Sequence, residues 1–353
     1  MLSVKTLAES PNLTCIPPAY SFLSSSQAIS SPDDRGGGEQ PIPIIDFSLL
    51  TLSTPDQRSK IIQELDYACR EWGFFMVINH GVDEGLMNSM LEGCREFFDL
   101  TDEEKRVNEG KHVLDPIRYG TSFNASVDEV SLWRDYLKVI VHQEFHCPNK
   151  PADFSNVLQE YTKAVRDVVR GLLEGISENL GLESCYINRA LDLESSLQIL
   201  IANLYPPCPQ PELAMGLPSH SDHGLLTMLI ENGISGLQIQ HKGKWVNVNA
   251  APGAFLVNTG DHVEILSNGK YRSVLHRAVV NNKSTRISIA LANGPSPEAI
   301  VSPAEELLGN GSSRAAYIGM KYKDYVELQQ SNKLSGKSCL DRVKIWPKMP
   351  GDY

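Results

Sequence analysis

The apolar positions of the chain change their period along its length, and the changes divide it into regions. Pro41-Ile42-Pro43-Ile44-Ile45-Asp46-Phe47 reads as a short strand. After Pro55 and Asp56, the residues Ile61, Ile62, Leu65, Cys69 and Trp72 fall at the spacing of one buried helix face, which Gly73 ends. Phe74 to Ile78 is a continuous apolar run, predicting a buried strand that enters the turn Asn79-His80-Gly81, where His80 reads as structural. A second helix is predicted from about Asp83 to Leu100, with Met87, Met90, Leu91, Cys94, Phe97 and Phe98 on one side. Thr101-Asp102-Glu103-Glu104 has the form of a fresh N-cap with an acidic first turn. Phe154, Leu158, Tyr161, Val165, Val168, Leu172, Ile176 and Leu180 predict a long helix, closed by Gly181, that supports a sheet from outside.

From Leu197 to about Ala292 the texture is different: short Ile/Leu/Val runs alternate with Gly, Asn and Pro turns, the pattern of a sandwich or barrel. Tyr317 to Gln329 predicts a last helix, and the pattern ends near Trp346-Pro347. Residues 1–40, with Ser24-Ser25-Ser26 and Gly36-Gly37-Gly38, read largely as a flexible leader, in which Ile16-Pro17-Pro18-Ala19-Tyr20 has the form of a short segment that lies against the body. The expected division is a leader over 1–40, a helix-and-strand region over 41–150, a supporting helix and linker over 151–196, a strand-rich core over 197–300 and a helical tail over 301–353.

At 353 residues and 41% hydrophobic, the chain can bury a substantial core. Its formal charge of −11 and its lack of a Lys/Arg block argue against nucleic acid or anionic membrane as partners. No apolar stretch approaches the roughly 20 residues that span a bilayer, and no secretory signal is evident. Seven scattered cysteines without a C-x-x-C pair fit free thiols in a reducing compartment. A soluble, cytoplasmic protein that binds small molecules, expected as a monomer, is the default.

The candidate chemistry lies between Leu217 and Pro295. In His220-Ser221-Asp222, an extended backbone points His220 and Asp222 to one face. His276 follows Asp222 by 54 residues and opens the run His276-Arg277-Ala278-Val279-Val280. Arg286-Ile287-Ser288 begins ten residues after His276. A lone His is more often a core or surface residue, but two His and one carboxylate together suit a divalent metal such as iron and leave coordination positions open. Asn203 and Tyr205 are spaced like the pair Arg286/Ser288, so both pairs can face the same cavity. His223, His241, His262, His142 and His146 lack such spacing and are read as structural or exposed.

These motifs resemble the core of the plant iron(II)- and 2-oxoglutarate-dependent dioxygenases. Asn203-Leu204-Tyr205-Pro206-Pro207-Cys208-Pro209, Leu217-Pro218-Ser219-His220-Ser221-Asp222, Gly260-Asp261, Ser267-Asn268-Gly269-Lys270-Tyr271 and His276-Arg277-Ala278 occur in family order, and the likeness runs from about Ile42 to the C-terminus. The subgroup resembled most is the flavonoid/phenolic-acid hydroxylase-like, downy-mildew-resistance type. The resemblance implies an α+β fold with a double-stranded β-helix core, a jelly roll of the cupin kind, supported by N-terminal helices. It implies that the chain crosses between two sheets at Asn281-Asn282-Lys283-Ser284, which lets His276 and Arg286 face the same cavity. It implies iron(II) on His220, Asp222 and His276, and a 2-oxoglutarate carboxylate on Arg286, Ser288 and Tyr205, with Asn203 orienting. O2 would be the oxidant and ascorbate a reductant.

The implied reaction is hydroxylation or desaturation of a flavonoid or other phenolic, with release of succinate and CO2. Steroidal, terpenoid or alkaloid substrates remain alternatives, as do an oxidase that does not use 2-oxoglutarate, a zinc hydrolase and a catalytically silent jelly-roll binding protein. Phe123, Tyr119 and Ala292 are the expected substrate contacts. Ala292 stands where many relatives carry an aromatic, so its small side chain opens space for substrate unless another side chain, such as Phe123, fills it. Trp133, in Trp133-Arg134-Asp135, is expected in the core of a strand beside the pocket.

Overall fold

The long amphipathic helix forms as its spacing predicts, over Phe154–Asn179, with Leu158, Tyr161, Val165, Leu172 and Ile176 fully buried and Gly181 beyond its end at φ 77°. Thr54 caps the helix Pro55–Tyr67 through a reciprocal box with Gln57, and the helix widens into a π turn over Ala68–Trp72. Gly73 ends it at φ 62°, where an added Cβ would lie 2.5 Å from the Arg272 carbonyl oxygen and from Val274. Only glycine fits there, by conformation and by space. The Asp83 carboxylate accepts from the Leu86 N–H and starts the helix Glu84–Asp99, which buries Met87, Met90, Cys94, Phe97 and Phe98. This computed structural model describes residues 3–22, 42–110, 112, 114–122, 130–309, 314–331 and 337–345. Phe123, the Ser/Gly runs of the leader and Trp346-Pro347 lie outside the described residues.

Twelve strands carry the site: β1 Ile44–Asp46, β2 Phe74–Ile78, β3 Ile117–Thr121, β4 Asp135–His142, β5 Gln198–Tyr205, β6 Met215–His220, β7 Leu226–Glu231, β8 Leu237–His241, β9 Lys244–Val248, β10 Phe255–Thr259, β11 His276–Val279 and β12 Arg286–Asn293. One sheet has the order β1-β2-β10-β7-β12-β5-β4-β3, and the other β6-β11-β8-β9. The chain leaves the smaller sheet after β11 and enters the larger at β12, so it crosses between sheets across residues 281–284. This is the jelly-roll core, with the three helices packed outside the larger sheet.

The period-two alternation of strands sorts that sheet into two faces. Leu137 and Val139, Leu200, Ala202 and Leu204, Ile287, Ile289 and Leu291, and Phe255 and Val257 turn to the helices and share one apolar cluster with Leu158, Val165 and Leu172. The intervening residues turn the other way, into a cavity between the sheets.

Two boundaries differ from expectation. The leader is not loose over residues 3–22: Val4–Ala8 is helical, Val4 is fully buried, and the Val4 and Lys5 N–H groups donate to the Asp135 carboxylate at 2.9 and 2.8 Å. Tyr20 is buried edge-on to Trp133, with ring centroids 5.2 Å apart. Tyr20 belongs to the segment 16–20 expected against the body, whereas the acceptor for Val4 and Lys5 lies in β4, more than a hundred residues away, and no local signal announces that anchor. The helix expected from Tyr317 starts at Tyr322, because Met320–Lys321 pairs with Ile300–Val301 and the Tyr317 hydroxyl donates to Glu264 at 2.9 Å, and a further short helix, Ser338–Val343, follows it. Among the described residues no helix is long and apolar enough to cross a membrane.

Asp135→Ala should release the N-terminal segment. It leaves the Val4 N–H, already buried, without an acceptor, a cost of about 1–3 kcal/mol. The expected outcome is faster proteolytic cleavage before Tyr20 and a lower denaturant midpoint; unchanged cleavage would show that the apolar contacts alone hold the segment.

Candidate metal and cosubstrate site

β6 and β11 pair antiparallel so that His276 stands directly opposite His220. β6 ends at His220, and Ser221–His223 is not strand, so Asp222 reaches the cavity from a turn and not from the extended triplet expected. The Asp222 Oδ1 lies 3.5 Å from Nε2 of His220 and 3.4 Å from Nε2 of His276, and the ligand atoms of all three lie within 4.8 Å of one another. Each imidazole is oriented by its other nitrogen: Nδ1 of His220 donates to the Pro218 carbonyl at 2.8 Å, and Nδ1 of His276 to the Val274 carbonyl at 3.2 Å. That tautomer leaves both Nε2 lone pairs aimed at one point, together with a carboxylate oxygen. The donor set, two neutral imidazoles and a carboxylate with open positions, fits a non-haem iron.

The electrostatics agree. Burial opposes ionisation of Asp222, yet His276 and His220 hold its carboxyl well below the usual range. Burial and the neighbouring His276 push His220 down, while Asp222 outweighs burial at His276 and pulls it up. The second Asp222 oxygen, Oδ2, accepts from Thr227 at 2.7 Å and from Asn258 at 2.9 Å. The Asp261 N–H donates to the Asp222 carbonyl at 2.8 Å, and the Asp261 carboxylate, pushed up to about 6 by burial, accepts from Tyr325 at 2.7 Å. From the helix Tyr322–Ser331, Gln329 donates to the Ser221 carbonyl at 3.2 Å.

Across the cavity, β12 pairs with β5 in a register that sets Arg286 beside Tyr205 and Ser288 beside Asn203. All four line the same cavity as His220, Asp222 and His276. Arg286 is not the free fork expected. Its Nη2 donates to Glu231 at 2.8 Å in a pair where both side chains are 2% exposed, and its Nε donates to the Ile234 carbonyl at 3.1 Å. Nη1 makes no hydrogen bond among the described residues. The guanidinium carbon sits 5.3 Å from the Tyr205 ring centroid, so Tyr205 braces it by stacking. A Cβ on Gly236 would come within 2.8 Å of the Arg286 Cδ. Asn203 accepts from Arg134 Nη1 at 3.1 Å and approaches Ser288 Oγ at 3.4 Å.

The expected substrate contacts fare differently. Tyr119 turns to the helical core, where it meets Phe97 at a centroid distance of 5.8 Å; its neighbour Arg118 takes the cavity face. A one-residue shift in strand parity decides this. The alternation along β12 brings Ala290 into the cavity, but Ala292 lies past its end. Its cross-strand partner Ile199 clusters with Tyr322 and Val326 of the helix Tyr322–Ser331, which packs on that part of the sheet. Phe123 lies outside the described residues.

His223 lines the cavity but gives its Nδ1 to the Tyr322 hydroxyl at 2.8 Å. His262 accepts from the Gly224 N–H, and His80 bonds the Gly253 carbonyl and the Val82 N–H, which makes both structural. Trp133 is fully buried, as expected, with its indole N–H on the Pro206 carbonyl. Sequence reading missed Glu231, Thr227 and Asn258. The available signal was a polar side chain at alternate positions of otherwise apolar strands, Thr227 and Glu231 in β7 and Asn258 in β10.

A profile described as the 2OG-Fe(II) oxygenase superfamily matches residues 196–295, and one described as the non-haem dioxygenase in morphine synthesis N-terminal region matches residues 42–161. The chain is 44% identical to 2-oxoglutarate-dependent dioxygenase 19 of Oryza sativa subsp. japonica, over 90% of this chain and 94% of that protein. It is 39% identical to Protein DOWNY MILDEW RESISTANCE 6 of Arabidopsis thaliana, over 84% and 88%, and 39% identical to Flavanone 3-dioxygenase 2 of Oryza sativa subsp. japonica, over 85% and 86%. The crystal structure of JOX2 in complex with 2OG, Fe and JA superposes with a TM-score of 0.86 at 30% identity, covering 98% of each chain.

Asn258→Ala and Thr227→Val should each weaken divalent-metal binding by roughly 10–100-fold while leaving all three ligating side chains in place. Equilibrium dialysis against iron(II) or cobalt(II) reads this directly, and affinity equal to the parent protein's would mean that Asp222 is oriented without them.

Proposed function

The chain belongs to the 2OG-Fe(II) oxygenase superfamily and is an iron(II)- and 2-oxoglutarate-dependent dioxygenase, and from that premise we propose that it hydroxylates, or desaturates, a small phenolic metabolite, releasing succinate and CO2. The observation that carries the reading is the convergence of His220, Asp222, His276, Arg286, Ser288, Tyr205 and Asn203 on one cavity between the two sheets. In this reading His220, Asp222 and His276 hold the iron, which supplies the oxidising power drawn from O2 and 2-oxoglutarate. Thr227 and Asn258 fix the plane of the Asp222 carboxylate, and the Pro218 and Val274 carbonyls fix the imidazoles.

Arg286 receives the far carboxylate of 2-oxoglutarate through Nη1, because Glu231 and the Ile234 carbonyl already hold its other nitrogens. Ser288 adds a hydroxyl donor and Tyr205 keeps the guanidinium plane in place. The sheet faces limit access of water, since His220, His276 and Arg286 are buried and the Asp222 side chain is partly so. Phe74, Leu217, Leu229, Leu237 and Ile201 give the cavity apolar walls suited to a ring system. The similarity to a flavanone dioxygenase of rice supports the phenolic class, and cysteines free of disulfides fit a cytoplasmic setting.

The test is succinate release from 2-oxoglutarate with a panel of flavanones and phenolic acids. His276→Ala should abolish it. Arg286→Lys keeps a cation for Glu231 but loses the second arm of the fork, so the KM for 2-oxoglutarate should rise about tenfold or more with iron affinity nearly unchanged. An unaltered KM would place the cosubstrate carboxylate elsewhere.

A further inference from the structure

The cavity is rich in positive charge that neither the metal site nor Arg286 uses. Its lining includes Arg118, Arg134 and Lys138, and among the described residues a single carboxylate, Asp222. Asp222 is committed to the two imidazoles, Thr227 and Asn258. Glu231 is committed to Arg286. Arg118 and Lys138 are direct cross-strand partners on β3 and β4, a placement that is unfavourable for like charges. Burial, together with Arg118, pushes Lys138 down to about 7.

Arg134 and Arg118 bracket Tyr136: the Arg134 guanidinium carbon lies 5.0 Å from its ring centroid, and Arg118 Nη2 lies 3.4 Å from its hydroxyl. Neither arginine meets a carboxylate among the described residues. Arg134 is 4% exposed and spends Nη1 and Nη2 on Asn203 and the Ser122 carbonyl, while its buried Nε has no partner; the Nε of Arg118 is likewise buried and without one. Stranded cationic donors inside a cavity are costly unless an anion arrives to meet them.

The cosubstrate does not supply that anion. Iron(II), the Asp222 carboxylate and a 2-oxoglutarate dianion together carry one negative charge, and the far end of 2-oxoglutarate is directed to Arg286. The charge on Arg118 and Arg134 exceeds this and lies toward the β3–β4 edge of the sheet.

We propose that Arg118 and Arg134, flanking Tyr136 and next to Lys138, form a subsite for a carboxylate on the substrate, so that the substrate is a ring-bearing carboxylic acid rather than a neutral flavonoid. The inference rests on the dioxygenase reading and narrows its substrate class. The acid enters with its carboxylate at the β3–β4 edge and its apolar ring against apolar side chains of the same cavity, Ile201 of the neighbouring β5 and Leu217 among them.

Binding, read without turnover, tests it. Benzoic, cinnamic and indole-3-acetic acids, each beside its methyl ester, and the neutral flavanone naringenin are titrated by calorimetry into the full chain loaded with iron(II) and 2-oxoglutarate under nitrogen. At least one acid should bind about tenfold or more tighter than its ester. In Arg118→Gln that preference should shrink toward unity, and Arg118→Lys should restore part of it, with thermal midpoints confirming that both variants are folded. Equal binding of acids and esters, a failure of every acid to bind, tighter binding of naringenin than of any acid, or an equal loss for acid and ester in Arg118→Gln would each overturn the subsite. The dioxygenase reading fails separately, if the parent protein releases no succinate with any compound.

Discussion

Every part of the site depends on strand register. His276 can share a metal with His220 only because β11 meets β6 with those two residues opposed. Arg286 and Ser288 can serve one cosubstrate only because β12 meets β5 with Tyr205 and Asn203 opposed. A slip of one residue in either pair would send its functional side chains to the other face, and in the larger sheet that face is sealed by the helix Phe154–Asn179. The apolar packing of Leu200, Ala202, Leu204, Ile287, Ile289 and Leu291 against that helix thus has two consequences. It stabilises the fold, and it makes the alternative register expensive, since the slip would bury Arg286, Asn203 and Ser288 among aliphatic side chains.

Within the cavity, each charge is placed by a partner that the chemistry itself does not need. Glu231 holds Arg286, Thr227 and Asn258 hold Asp222, and carbonyls of the flanking chain hold the two imidazoles. Buried charges left unpaired would drift toward water or neutralise, whereas paired and hydrogen-bonded ones keep a fixed direction. Arg118 and Arg134 differ in meeting no carboxylate among the described residues, which is why we assign their chemistry to a ligand.

The helix Tyr322–Ser331 ties these layers together. Tyr322 packs so close to Gly294 that a Cβ there would lie 2.1 Å from its hydroxyl, and the same hydroxyl meets His223 beside the metal ligands. Gln329 holds the Ser221 carbonyl within the ligand turn. The helix thereby closes one end of the cavity and braces the turn that carries Asp222.

The sequence alone determined the elements whose signals are local. The spacing of Leu158, Tyr161, Val165 and Leu172 specifies a helix, and the two-residue separations His220–Asp222 and Arg286–Ser288 mark paired functional side chains, because a pleated or turning backbone brings i and i+2 together. The order of motifs was enough to identify the family, and with it the metal and cosubstrate. What only the tertiary structure decided are the contacts between segments far apart in the chain. Asp135 anchors Val4 and Lys5, Glu231 claims part of the Arg286 fork, the helix Tyr322–Ser331 packs on Ile199, the strand partner of Ala292, and strand parity gives the cavity Arg118 in place of Tyr119. Periodicity reports which residues share a face, but not which distant surface that face will meet, since register and packing are settled by the fit of side chains across the whole fold.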